Sequence, residues 1–202
     1  MLIKIFELVL ISAAAYLIGS VPTGYLTVKA KTGQDIRKTG SGSTGATNVK
    51  RVLGKKYFFL VMILDAIKGA LPVILASCFI KTGASYGIAP VLAAAFVIIG
   101  HSKPIFLGFK GGKSVASGIG TIFALNWIAG LIIASVWGIV TYTTKYVSAG
   151  SITALCLSPF IMYFLHAPAA YTVYCVLGAV YIIYLHRENI RRLIDGKENK
   201  VR

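Results

Sequence analysis

Acid is scarce in this chain: 6 Asp and Glu stand against 21 Lys and Arg in 202 residues, a formal net charge of +15. No carboxylate cluster suits a hard cation, so neither a metal nor another cofactor is expected. Cysteine is scarce too. Cys78, Cys156 and Cys175 are odd in number, lie in apolar stretches and show no CxxC or His-paired spacing, so they read as small packing groups. The N-terminus lacks a small-residue cleavage site and runs apolar to about Val28, which argues for a retained helix over a removed leader. What is abundant is apolar surface, 56% of the residues. The basic residues fall in gaps between the apolar runs, so anionic lipid or an anionic substrate fits them better than nucleic acid.

Crossing the hydrocarbon core takes about 20 apolar residues in a helix. Windows of that kind occur at about 3–28, 57–80, 86–107, 149–165 and 168–185. The stretch 114–144 would reach about 45 Å as one helix, and Asn126-Trp127 interrupts it, so it reads as two shorter helices. Orientation follows from charge, because cytoplasmic loops collect Lys and Arg. Segment 28–57 carries Lys29, Lys31, Arg37, Lys38, Lys50, Arg51, Lys55 and Lys56, segment 101–113 carries Lys103, Lys110 and Lys113, and the tail carries Arg187, Arg191, Arg192, Lys197, Lys200 and Arg202. An all-α integral membrane protein with about seven transmembrane helices, N-terminus outside and C-terminus cytoplasmic, puts all three basic segments and Lys145 on the cytoplasmic side. Lys4 and Lys81 are left near the outer face and Lys68 inside a span. The whole chain, 1–202, reads as a single polytopic membrane domain.

Three polar segments stand out, at 40–51, 100–117 and 186–193. The first runs Gly40-Ser41-Gly42-Ser43-Thr44-Gly45-Ala46-Thr47-Asn48 and is followed by Lys50 and Arg51. Glycines let backbone N–H groups converge on an anion, and the hydroxyls and Arg51 add donors. The string also satisfies GxGxxG, but no strand precedes it and no βαβ unit surrounds it, so the dinucleotide reading lacks its context. A flexible cytoplasmic linker is the competing reading. The second segment ends Lys110-Gly111-Gly112-Lys113-Ser114. Leu107 stands where a P-loop requires glycine, so the nucleotide rule is not met. Two glycines before a helix starting near Lys113 still offer N–H groups and a positive helix end to a phosphate, against a plain basic loop. His101, taken alone, is more often a structural histidine. In the third, His186 and Asn189 share a face if the last span continues as a helix, while the arginines suit a snorkelling helix end. Asp65 and Lys68, at i and i+3, form either a functional or a self-neutralising pair inside a span. A transporter for phosphate or an organic anion is the alternative to an enzyme, although the polar motifs gather on one face rather than at the midplane.

In this order, GSGSTGATNVKR at 40–51, GHSKPIFLGFKGGKSVAS at 100–117, HRENIRRL at 186–193 and LDAIKG at 64–69 resemble the bacterial acyl-phosphate:glycerol-3-phosphate acyltransferases, the PlsY family. Family members commonly have Asn where this chain has Ser43, a substitution that bears on that position's own hydrogen bonding. The resemblance implies a seven-helix membrane enzyme of phospholipid synthesis in the cell inner membrane, its active site facing the cytoplasm. It would move an acyl chain from acyl phosphate to the 1-hydroxyl of glycerol 3-phosphate, giving lysophosphatidate and inorganic phosphate. By the same resemblance, Ser41, Arg51, Lys113, Ser151, His186 and Asn189 serve glycerol 3-phosphate, and Thr47, Asn48, Lys110, Gly111, Gly112 and Ser114 serve acyl phosphate. Gly42, Gly45 and His101 complete the binding set. His186 and a substrate phosphate are the two candidates for the base. The His-x4-Asp pair of soluble-type glycerophosphate acyltransferases is absent at His101, His166 and His186.

Overall fold

The computed structural model describes residues 2–79 and 87–201, so Lys81 and Arg202 of the charge pattern lie outside the described residues. The chain divides into two compact units, Met1–Ala124 and Leu125–Arg202. Among the described residues every regular element is a helix. Backbone polar groups cannot be left unpaired in lipid, and helices satisfy theirs internally.

The first unit contains α1 (Leu2–Ser20), α2 (Thr23–Thr32), α3 (Ala46–Leu53), α4 (Lys55–Phe79), α5 (Ile88–Ser102) and α6 (Val115–Leu125), with short 3-10 turns at Ile36–Lys38 and Ile105–Leu107. α1 packs on α5 and α4 packs on both α3 and α5. The α1–α5 crossing is close because a Cβ at Gly19 would collide with the Val97 carbonyl, and one at Gly100 with the Tyr16 carbonyl. Small residues at the crossing serve helices that have no hydrophobic drive toward each other in lipid. α4 shows the membrane pattern directly. Phe59, Ile63, Ile67 and Leu71 point outward, whereas Asp65, Lys68 and Gly69 are buried. A cap of Val28, Ile36, Val49 and Val61, flanked by Tyr25, Val52 and Tyr57, fixes α2, the first 3-10 turn and the short α3 to the start of α4.

The second unit is α7 (Trp127–Thr144), α8 (Val147–Phe164), α9 (Ala169–Leu185) and α10 (Arg187–Ile194), with α8 packed on both α7 and α9. α7 starts where expected: the Asn126 side chain caps it, accepting the Ala129 N–H at 3.0 Å.

The segments expected from hydropathy are present, with two corrections. The first window is not one helix. It breaks at Val21-Pro22 because Pro22 has no N–H to donate and restricts the residue before it. The last span does not continue straight into 186–193, since α9 and α10 meet at 63°. Five described segments are long and apolar enough to cross a membrane, counting Leu2–Thr32 as one, and six if the bent pair is one span. α6, with 11 residues, is only about 16 Å long, short of the roughly 30 Å core.

Candidate active site

In the first unit, segment 40–51 folds into a loop that enters α3 at Gly45. Its organiser is Asn48, 1% exposed. The Asn48 carbonyl accepts the Ser41 N–H at 3.0 Å, and its amide donates toward the carbonyls of Ile36, Thr39 and Ser43 at 3.3, 3.0 and 2.9 Å. The side chain is thus committed to the shape of its own loop. Gly40, at φ 57°, must be glycine twice over, because a Cβ there would also strike Asn48 Oδ1. Ser43 accepts the Gly45 N–H on its hydroxyl at 3.3 Å, a local turn that a serine makes readily. Around this frame Ser41, Gly42 and Arg51 are exposed, while Gly45 and Thr47 are half-buried.

Ahead of the loop, Asp35 caps the 3-10 turn, its carboxylate accepting the Arg37 N–H at 2.9 Å and pairing with the Arg37 guanidinium at 2.7 Å. Those side-chain and backbone hydrogen bonds from Arg37 hold the Asp35 carboxyl down at about 2. Arg37 Nη1 also donates to Leu107 O at 3.3 Å, which ties the first segment to the second.

The second segment differs from expectation in its hydrogen bonds. The Gly111 and Gly112 N–H groups donate to Ser102 O at 3.2 Å and His101 O at 3.1 Å. Those carbonyls end α5 and lack intrahelical partners, so they take the glycine donors that the sequence suggested for a phosphate. α6 also starts at Val115 rather than Lys113. Ser114, buried at φ 59°, donates its hydroxyl to Ile98 O at 2.7 Å. Lys110 is exposed and Lys113 half-buried. Gly112 leaves room for His101, whose ring would collide with any Cβ there.

His101 belongs to a buried polar cluster. Its Nδ1 lies 3.1 Å from Ser117 Oγ and 3.6 Å from Asp65 Oδ1. Asp65 pairs with Lys68 at 2.8 Å and accepts from the Thr23 hydroxyl. Lys68 also donates to Val21 O at 2.8 Å, satisfying a carbonyl freed at the α1–α2 break. The pair considered from sequence is therefore part of a network joining the break, α4, α5 and α6.

In the second unit, His186 sits at the bend. Its Nδ1 is 2.8 Å from Ile182 O, and a carbonyl only accepts, so Nδ1 carries the proton and Nε2 is the basic nitrogen of the neutral ring. Ser151 donates to Val147 O at 2.8 Å within α8. Asn189 donates at 2.7 Å to the carboxylate of Glu198, a residue that sequence reasoning passed over inside a basic tail. His186, Asn189 and Ser151 are all buried.

The glycerol-3-phosphate acyltransferase family model matches residues 9–196. The chain is 43% identical over 190 residues to the glycerol-3-phosphate acyltransferase of Gloeobacter violaceus, covering 94% of this chain and 92% of that one. The enzyme of the same name from Endomicrobium trichonymphae is 43% identical over 202 residues, covering 100% and 98%. Two crystal structures of PlsY (YgiH), an integral membrane glycerol 3-phosphate acyltransferase, share the fold. The glycerol 3-phosphate form has a TM-score of 0.89 at 37% identity and the lysophosphatidic acid form 0.87 at 36%, each covering 97% of this chain and 96% of the other. With helices of membrane length, the motif segments in place and agreement along nearly the full chain, this integral membrane protein belongs to the glycerol-3-phosphate acyltransferase family.

Proposed function

We propose that the protein transfers the acyl group of an acyl phosphate to the 1-hydroxyl of glycerol 3-phosphate, releasing lysophosphatidate and inorganic phosphate. The observation that carries this reading is the pair of solved relatives, one in a glycerol 3-phosphate form and one in a lysophosphatidic acid form. Those two molecules differ by one acyl chain. Family membership sets the transporter alternative aside.

Acyl phosphate is a mixed anhydride, so the acceptor oxygen can attack its carbonyl carbon directly. The carbon–oxygen bond to phosphate breaks, phosphate leaves with its electron pair, and the hydroxyl proton passes to a base. No covalent enzyme intermediate is needed, and the protein's work is positioning and charge stabilisation. We assign Ser41, Arg51, Lys113, Ser151, His186 and Asn189 to glycerol 3-phosphate. Thr47, Lys110 and Ser114 go to acyl phosphate, with Asn48, Gly111 and Gly112 contributing through loop shape, since their polar groups are committed to backbone partners. Gly42, Gly45 and His101 complete the binding set. His186, whose Nδ1 donates to Ile182 O, and a substrate phosphate are the two candidates for the base. The basic segments face the cytoplasm, and the membrane is the cell inner membrane.

Charge reversal tests the ligand assignment. Arg51→Glu or Lys113→Glu should raise the KM for glycerol 3-phosphate by tenfold or more, on the order of one lost charged hydrogen bond. An unchanged KM in both variants sinks their assignment as phosphate ligands.

A further inference from the structure

Beyond α10 the tail returns to the second unit through one acidic side chain. Glu198 Oε1 accepts the Ser148 hydroxyl at 2.9 Å and the Asn189 amide at 2.7 Å, while Oε2 takes Arg192 Nε at 2.7 Å. The Glu198 side chain is 6% exposed. The chain after it is tied down as well: Val201 N–H donates to Lys145 O at 2.8 Å, and the Lys200 ammonium lies 5.7 Å from the Tyr146 ring centre. Glu198 falls outside residues 9–196, the stretch that defines the family match.

We propose that Glu198 is a positioning residue for the acceptor side of the reaction, holding Asn189 in one amide orientation and α10 against the first turn of α8. The inference rests on the assignment of Asn189 to glycerol 3-phosphate made above. An asparagine amide can turn over and exchange its donor and acceptor ends. An ionised carboxylate accepts only, so Glu198 draws the NH2 toward itself and turns the Asn189 carbonyl oxygen the other way. Arg192, three residues along α10, donates to the second carboxylate oxygen and stops the group from swivelling. Ser148 closes the link, because it lies one turn before Ser151 on α8. The helix bearing Asn189 and the helix bearing Ser151 are therefore pinned by one carboxylate. Burial pushes the Glu198 carboxyl up, but the hydrogen bonds from Asn189, Arg192 and Ser148 outweigh it and hold it below its usual value. It is ionised at neutral pH. The start of α8, where a helix dipole favours negative charge, suits an anion as well.

The test uses the full-length, detergent-solubilised protein, with glycerol 3-phosphate binding measured by calorimetry and KM measured for each substrate. Glu198→Gln keeps the shape but can turn a donor toward Asn189. Binding of glycerol 3-phosphate should weaken about tenfold and its KM rise in step, with the KM for acyl phosphate unchanged. Glu198→Asp should recover part of the loss, and it carries the same comparison if the glutamine variant does not fold. In an Asn189→Ala background, Glu198→Gln should add little further loss. Four results would overturn the proposal. Unchanged binding in Glu198→Gln while Asn189→Ala is impaired leaves the Asn189 assignment standing and removes the positioning role. An equal rise in both KM values marks a purely structural contact. Tighter glycerol 3-phosphate binding means that the carboxylate competes with substrate instead of supporting it. No effect of Asn189→Ala removes the underlying assignment and the inference with it.

Discussion

Asn48 shows what a single residue of the first motif is for. Its side chain is buried and bonded to four backbone positions of a glycine-rich loop that would otherwise sample many shapes. Asn48→Ala should destabilise the protein by roughly 2 kcal/mol or more, the scale of several buried hydrogen bonds lost together. A lowered Tm and faster proteolysis within 39–45 would be the signs, and an unchanged Tm would contradict the clamp. The clamp could not be read from the sequence, because the partners of Asn48 come from up to 12 positions away and meet it only once the loop has closed. Gly111 and Gly112 teach the same lesson. Their donors looked available from composition, but the end of α5 takes them. Glu198 was invisible for another reason: amid Arg191, Arg192, Lys197 and Lys200, one acidic residue reads as part of a solvated basic tail.

At the scale of elements, proline is an ambiguous sign. Pro72 and Pro159 lie inside continuous helices, whereas Pro22 marks a break. Hydropathy windows average over a two-residue interruption, so the first span read as one piece. Asn126 was legible because its side chain is a preferred helix cap and sits in the middle of an over-long apolar run. What makes the Val21-Pro22 break tolerable is the cluster on α4, where Lys68 satisfies the Val21 carbonyl and neutralises Asp65. Removing one partner leaves a buried charge unpaired. Lys68→Met should cost about 3–5 kcal/mol and lower the Tm in detergent, and Asp65→Asn added to it should restore much of the loss. If the double variant is no more stable than Lys68→Met, Asp65 does not depend on Lys68 for its charge balance.

For the whole molecule, the class of fold was readable because long apolar runs leave a chain little choice but membrane helices. The count was harder, since α6 is short and α9 bends into α10. The proposed orientation has residues 40–51 and the tail on one side of the membrane, and under it single cysteines introduced at Ser43 and Asn199 should be labelled by an impermeant reagent from the same face. Labelling from opposite faces would reject that orientation. The chemistry has a more direct test: turnover of acyl phosphate with glycerol 3-phosphate carrying oxygen-18 in its 1-hydroxyl, followed by mass analysis of both products. The account predicts that the label stays in the ester of lysophosphatidate and that the released phosphate carries none; label in a phosphorylated glycerol with free fatty acid as co-product would mean attack at phosphorus and contradict it.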